Sequence, residues 1–353
     1  MSAETLAPRA VAARMGRRAG DLLDRATGRR YGLYGLAVLR IGYGLALIGI
    51  LLVNYGDRRL LWGPESPWTG DLFTGTLADR GSFSLYALLS SGLWFEVLYH
   101  ATIVAAAVFA AGWRTRWVTP VLLVLLWSWH ERNPLLVDGG DTLMQLVLIY
   151  LCFADLSARW SVDARRRAGR EEDRGRLRWR VLTVLHNTAV LATLAQMCLV
   201  YVTAGMLKVQ GERWQDGTAL YYALRIAEFQ PFPALSRLFY DHEFLVVTSG
   251  YLAVFVQLLF PALMLNTVTR RLGLVAVMGM HVGVGVLMGL PFMSFIMIVT
   301  DLLFVRDSTY ARVAGLVTAA VRSRRAAPPA PGPVRPERNG HGAAEPEWTG
   351  SVT

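Results

Sequence analysis

The 36 basic residues of this 353-residue chain include one lysine, Lys208; the other 35 are arginine. Arginine stays protonated under essentially all conditions, whereas a lysine amine can give up its proton when water is withdrawn from it. Lys208 closes the apolar run LATLAQMCLVYVTAGMLK, residues 191–208. Two readings stand side by side. Lys208 is a general base at the edge of an apolar helix, or a cation that snorkels from a helix end into the membrane interface.

Other polar groups fall inside or beside apolar runs. Glu96 and Asp141 lie toward the same side as Lys208, so each could pair with it, hold a substrate or cap a helix. Asp141 follows Asp138-Gly139-Gly140, which suits a helix start that favours a carboxylate. Arg40, Asp155 and Asp301 fall near the opposite ends of their runs, where interfacial pairing is expected. His281 sits in VMGMHVGVGVLMG, among glycines that suit the close approach of a helix or a flat ligand. After Lys208, Trp214, Tyr221 and Tyr222 could stack on such a ligand, and 220–229 has the period of a helix lying in the interface plane. No residue spacing suggests a metal site, and Cys152 and Cys198 both lie in apolar runs.

These groups need elements to hold them. The chain is 54% apolar and 18% charged, against about 25% charged in ordinary globular chains. Eight apolar segments read as membrane helices: 34–53, 93–112, 117–133, 135–154, 181–207, 245–265, 273–290 and 291–305. With both termini cytosolic, inside segments hold 27 of the basic residues and outside loops hold 8. That bias follows the positive-inside rule. The net charge of +10 therefore reports orientation and contact with anionic lipid rather than a nucleic-acid partner. The expected architecture is an all-α, multi-pass bundle in the cytoplasmic membrane. A basic cytosolic segment, 1–33, precedes the membrane domain, 34–305, and reads as retained rather than cleaved. A cytosolic tail, 306–353, follows, and its Pro- and Gly-rich part from about Arg322 reads as disordered. The charged linker 163–180 reads as a cytosolic loop.

Four short motifs resemble, in order, those of proteins with the horizontally transferred transmembrane (HTTM) domain, the group that includes vitamin K-dependent gamma-glutamyl carboxylase. They are Leu36-Ala-Val-Leu-Arg40, Trp160-Ser-Val-Asp163, the stretch from Gln196 to Lys208, and Met280-His281 with Ser294-Phe295 thirteen residues beyond the histidine. The resemblance implies that Lys208 is the base that deprotonates a quinol, with His281 beside it. Oxygen then turns the quinol into a stronger base that attacks a substrate. Two departures turn the expectation away from glutamate carboxylation. The carboxylase has a large luminal region after its membrane domain, where this chain has only the tail 306–353. Asn133–Asp141 also replaces a histidine-bearing segment of the family.

The group also includes a bacterial membrane protein that matures a sporulation-delaying peptide toxin together with a small partner. The expected function is therefore quinol- and oxygen-linked base chemistry, with a menaquinol-like cofactor, on an exported peptide or lipid-soluble substrate. The alternatives are a non-catalytic partner in maturing or exporting a secreted peptide, and a transporter or scaffold. The expected partner is a small co-encoded secreted or membrane-anchored protein. Single cysteines introduced across 208–244 should react with a membrane-impermeant thiol reagent from outside the cell; labelling only from the cytosolic side would invert the topology.

Overall fold

A computed structural model describes residues 27–169, 176–326 and 350–351. The expectations for most of 1–33, for the middle of the charged linker and for the Pro-rich tail lie outside the described residues. The chain divides into two units at Tyr310/Ala311. In the second unit the described residues are the end of a helix that closes at Ala326, and residues 350–351. The rest concerns the first unit.

All eight apolar segments are helical, and no strand occurs among the described residues. We number the helices α1 Leu33–Val53, α2 Gly92–Ala111, α3 Thr115–Arg132, α4 Gly139–Leu151, α5 Leu177–Val209, α6 Glu243–Leu263, α7 Thr267–Leu287 and α8 Pro291–Asp301. Five of them, α1, α2, α5, α6 and α7, are long and apolar enough to cross a membrane. α8 has 11 residues and is only about 16 Å long, roughly half a hydrocarbon core. A 3-10 turn, Leu302–Phe304, ends it.

Two expected loops differ. The linker 163–180 contains a short helix, Val162–Arg167, and its last residues from Leu177 are the first turn of α5. Leu177 and Trp179 extend the apolar period past the arginines, so α5 reaches 33 residues. The expected interfacial helix over 220–229 is shorter. Ala219–Ala223 is helical, and a turn at Leu224–Ile226 separates it from a 3-10 turn at Ala227–Phe229.

Successive helices pack as neighbours, and α8 packs on α1, α4 and α7. Its insertion depends on a glycine row on α1. Gly35, Gly42 and Gly49 recur every seven residues and so share one helix face. A Cβ at Gly35 would lie 2.9 Å from Leu303, at Gly42 2.5 Å from Val299, and at Gly49 2.6 Å from Phe292. Only a bare Cα lets the two backbones come this close.

Helix ends are satisfied by residues remote in sequence. α1 begins after Gly32 with no side-chain cap of its own. Asp307 supplies one, accepting from the amides of Leu33 (3.2 Å) and Tyr34 (3.0 Å). The expectation of interfacial pairing for Arg40 is corrected. Its side chain is fully buried and donates to the carbonyls of Phe109 (2.9 Å), Ala110 and Trp160 (2.7 Å). Two of these belong to the last turn of α2, where unpaired carbonyls and the helix dipole attract a cation. Gly112 is bare for the same reason: its φ is +74°, and a Cβ there would lie 2.5 Å from the guanidinium. At the other end of the bundle, Arg132 donates to the carbonyls of Trp68 (3.1 Å) and Gly63 (3.0 Å) and lies over the Phe73 ring.

Gly42→Ala should destabilise the protein by about 1–3 kcal/mol, because the added methyl collides with Val299. Gly75→Ala, in an exposed helix where the methyl meets nothing within 4 Å, should be neutral or slightly stabilising. Thermal unfolding in detergent compares the two; equal midpoints would remove the glycine row as the packing constraint.

Candidate functional site

Lys208 lies in the last turn of α5. It is half-buried, its Nζ donates to the Ala204 carbonyl at 3.5 Å, and it sits 5.2 Å from the centroid of the Trp214 ring. Trp214 thus lies against Lys208 rather than beside Tyr221 and Tyr222. The aromatic face supports a cation. His281 of α7 contacts Tyr201 (3.0 Å), which lies two turns before Lys208 on α5, so the two residues that the motif resemblance singled out are linked through one helix.

Below Lys208 runs a buried chain of three side chains from three helices. The Tyr201 hydroxyl of α5 donates to Asp301 Oδ2 of α8 at 2.7 Å. Its only proton is thereby used, so the 3.0 Å contact with His281 Nε2 requires the imidazole N–H to donate to the tyrosine oxygen. Tyr201 and Asp301 are fully buried and His281 is 5% exposed. Phe260 closes one side, its ring 4.5 Å from that of Tyr201. The chain has loose ends: His281 Nδ1 and Asp301 Oδ1 are buried without a hydrogen-bond partner among the described residues, and so is Ser294 Oγ. Buried polar atoms without partners are rare and mark sites of strain, function or bound ligand.

Helical geometry explains the alignment. Tyr201 and Lys208 are seven residues apart, so they share a face of α5 about 10 Å apart along its axis. The expected interfacial pairing of Asp301 is corrected: α8 carries the carboxylate into the bundle, against Tyr201. The signal for this was available in the seven-residue spacing from Lys208 and in a lone carboxylate inside an apolar run. The glycines beside His281 divide: at Gly285 a Cβ would lie 3.2 Å from Ser294 of α8, the close helix approach expected. Gly279 and Gly283 are two residues from His281, about 200° around the helix, and each meets open space rather than a neighbour.

The remaining sequence-selected residues are placed elsewhere. Glu96 is held by Arg58 (3.0 and 3.2 Å) and Arg59 (3.4 Å). Arg58 opens a short helix, Arg58–Leu61, outside the candidate membrane spans, and that bond to Glu96 holds its guanidinium above the ordinary range. Asp141 forms a capping box at the start of α4: Asp138 Oδ1 accepts from the Asp141 amide at 2.9 Å, and Asp141 Oδ2 accepts from the Asp138 amide at 3.3 Å. Its other oxygen, Oδ1, is buried without a partner among the described residues. Tyr222 accepts from Arg213 at 2.9 Å, and Tyr221 accepts from Arg225, each tyrosine ring also lying under its arginine. These tyrosines are occupied by arginines rather than turned to Lys208.

The comparisons with known proteins bear on this geometry. The HTTM domain family matches residues 34–308, which run from the first turn of α1 through Asp307, the residue that caps it. The chain belongs to the HTTM family. Among curated proteins it is similar to the sporulation-delaying protein SdpB of Bacillus subtilis (strain 168), 21% identical over 198 residues. That match covers 53% of this chain and 57% of SdpB, so the chain spans less than two thirds of its relative's length. No solved structure matches.

Tyr201→Phe should cost about 1–3 kcal/mol, because it strips both Asp301 and His281 of their partner in a buried place. Tyr310→Phe removes one half-buried bond, to the Leu302 carbonyl, and should cost about 1 kcal/mol or less. Denaturation of the two variants in the same detergent tests the order; a smaller loss for Tyr201→Phe would mean the chain is not a structural unit.

Proposed function

We propose that this HTTM protein is an enzyme of the cell membrane that performs base chemistry at Lys208 on an exported peptide or a lipid-soluble substrate. In this reading the eight apolar helices form the membrane domain. Both termini face the cytosol, and the Lys208 end faces outward. The observation that carries the reading is the buried line His281–Tyr201–Asp301, two helical turns from the only lysine in the chain.

The three residues are suited to moving a proton away from the Lys208 region. His281 Nδ1 is an acceptor with no partner among the described residues, and Nε2–H already donates to Tyr201, whose hydroxyl donates to Asp301. A proton arriving at Nδ1 can be matched by release from Nε2 to the tyrosine oxygen, and by transfer of the tyrosine proton to the carboxylate. Lys208 takes the first proton from a substrate hydroxyl or acidic C–H and leaves a positive charge beside the anion it creates.

A menaquinol-like cofactor fits at the same point. A quinol would supply an ionisable hydroxyl and reducing equivalents toward oxygen. His281 Nδ1 would accept from that hydroxyl, and Lys208 would stabilise the oxyanion. A second reading has its own support in the Lys208–Trp214 contact, which favours a permanently charged amine. There the protein is a non-catalytic membrane partner in the maturation or export of a secreted peptide, acting with a small co-encoded protein.

Complementation of a strain lacking the protein separates the readings. Lys208→Arg keeps charge and loses the base, so activity should fall by about 100-fold or more at unchanged protein level. Full activity in Lys208→Arg would exclude base chemistry and leave the partner role. Solvent extraction of the purified protein followed by mass spectrometry should recover a quinone; an extract without one would remove the cofactor.

A further inference from the structure

At the end of the bundle opposite Lys208 there is a cavity of about 660 Å³ that the chemistry above does not use. Five arginines line it: Arg30, Arg116, Arg167, Arg176 and Arg178. Among the described residues, the single carboxylate in its wall is Asp155. Asp155 is already committed, since Arg30 Nη1 lies 2.6 Å and Arg167 Nη2 3.8 Å from its oxygens. Arg30, Asp155 and Arg167 thus form one cluster in the wall, and the other guanidiniums stand beside it. Arg116 and Arg178 are exposed and enter no ion pair among the described residues.

The cavity is built on fixed supports. Its floor is tied by His186, whose Nδ1 accepts from the Asp155 amide at 2.9 Å while Nε2 donates to the Tyr31 carbonyl at 2.8 Å. Both bonds require the neutral Nε2–H tautomer, so this histidine is a linker and not a sixth cation. Helix α3 begins at the cavity, with Thr115 and Arg116 in its wall and no side-chain cap on its first turn. Trp179 stacks with Arg30, 5.5 Å from the guanidinium carbon to the ring.

Along the other wall the lining turns apolar: Cys152, Phe153, Leu182 and Leu185. Phe153 is 56% and Leu185 40% exposed. Phe153 follows the end of α4 and Leu185 lies two turns into α5, positions that in a membrane domain enter the hydrocarbon. A soluble anion has no use for this wall. An anionic glycerophospholipid uses both halves: its phosphodiester takes the guanidiniums and its upper acyl chain takes Phe153 and the leucines.

We propose that this cavity is a binding site for an anionic glycerophospholipid, seated with its headgroup among the arginines and an acyl chain against Phe153, Leu182 and Leu185. The site is independent of the reading of Lys208, and its failure would leave that reading untouched.

Native mass spectrometry of the full-length protein, with phosphatidylglycerol and phosphatidylcholine present in equal amounts, tests it. The wild type should retain phosphatidylglycerol in preference. The double variant Arg116→Gln/Arg178→Gln should lose that preference, with affinity lower by about 30-fold. Arg270→Gln/Arg271→Gln removes the same charge from the start of α7 and should keep it. Equal retention of the two lipids, or an unchanged preference in Arg116→Gln/Arg178→Gln, would overturn the proposal. So would inorganic phosphate displacing the lipid as well as phosphatidylglycerol does, since the cavity would then take the free anion. Should the double variant fail to fold, a photoactivatable phosphatidylglycerol on wild-type protein decides. Adducts should map to 152–157 and 176–185, and adducts confined to other segments would sink the site.

Discussion

A carboxylate with no exposed surface has to be hydrogen-bonded, because leaving it dry and unpaired costs several kcal/mol. In this chain that carboxylate is Asp301, and the donor it has found is the hydroxyl of Tyr201. Much of the bundle can be understood from this bond. It requires α8 to lie inside the ring of longer helices. Burial of α8 in turn requires the glycine face of α1. Packing of α7 against α8 then brings His281 to the same tyrosine. A helix of 11 residues, too short to cross a bilayer alone, is thereby held among α1, α4 and α7.

Helix ends follow a second rule. At two termini, the start of α1 and the end of α2, a charged side chain distant in sequence supplies the partner. Asp307 serves the amides of α1 and Arg40 the carbonyls of α2. In the membrane, helix ends that are not in water must be satisfied internally. These long-range caps also tie the beginning of the HTTM domain to its end, so the domain is closed by hydrogen bonds as well as by packing.

Much of the fold was legible from apolar run length alone, since each of the eight expected segments contains a helix. The boundaries that moved were those where arginines interrupt the run, as at the start of α5, or where a run was too short to measure, as at α8. The site was legible in part. Lys208 stood out by being alone, and it does share a region with Trp214 and His281. Glu96 and Asp141 were chosen by side of the membrane, but side says nothing about which neighbour arrives first. Arg58 reached Glu96, and Asp138 reached Asp141. Tyr201 was missed, and Asp301 was read as interfacial, because their bond joins residues 100 positions apart. The seven-residue spacing from Lys208 marks the face of α5 that carries Tyr201, but only the insertion of α8 supplies its partner.

α5 is 33 residues long, about 50 Å end to end, while the hydrocarbon core of a bilayer is about 30 Å thick. Such a rod must lean or project. It bears Lys208 at one tip and Arg178 at the other, so its inclination sets the depth of both tips at once. A thinner or thicker bilayer would therefore raise or sink the amine and the guanidinium together, making lipid composition a mechanical variable for Lys208.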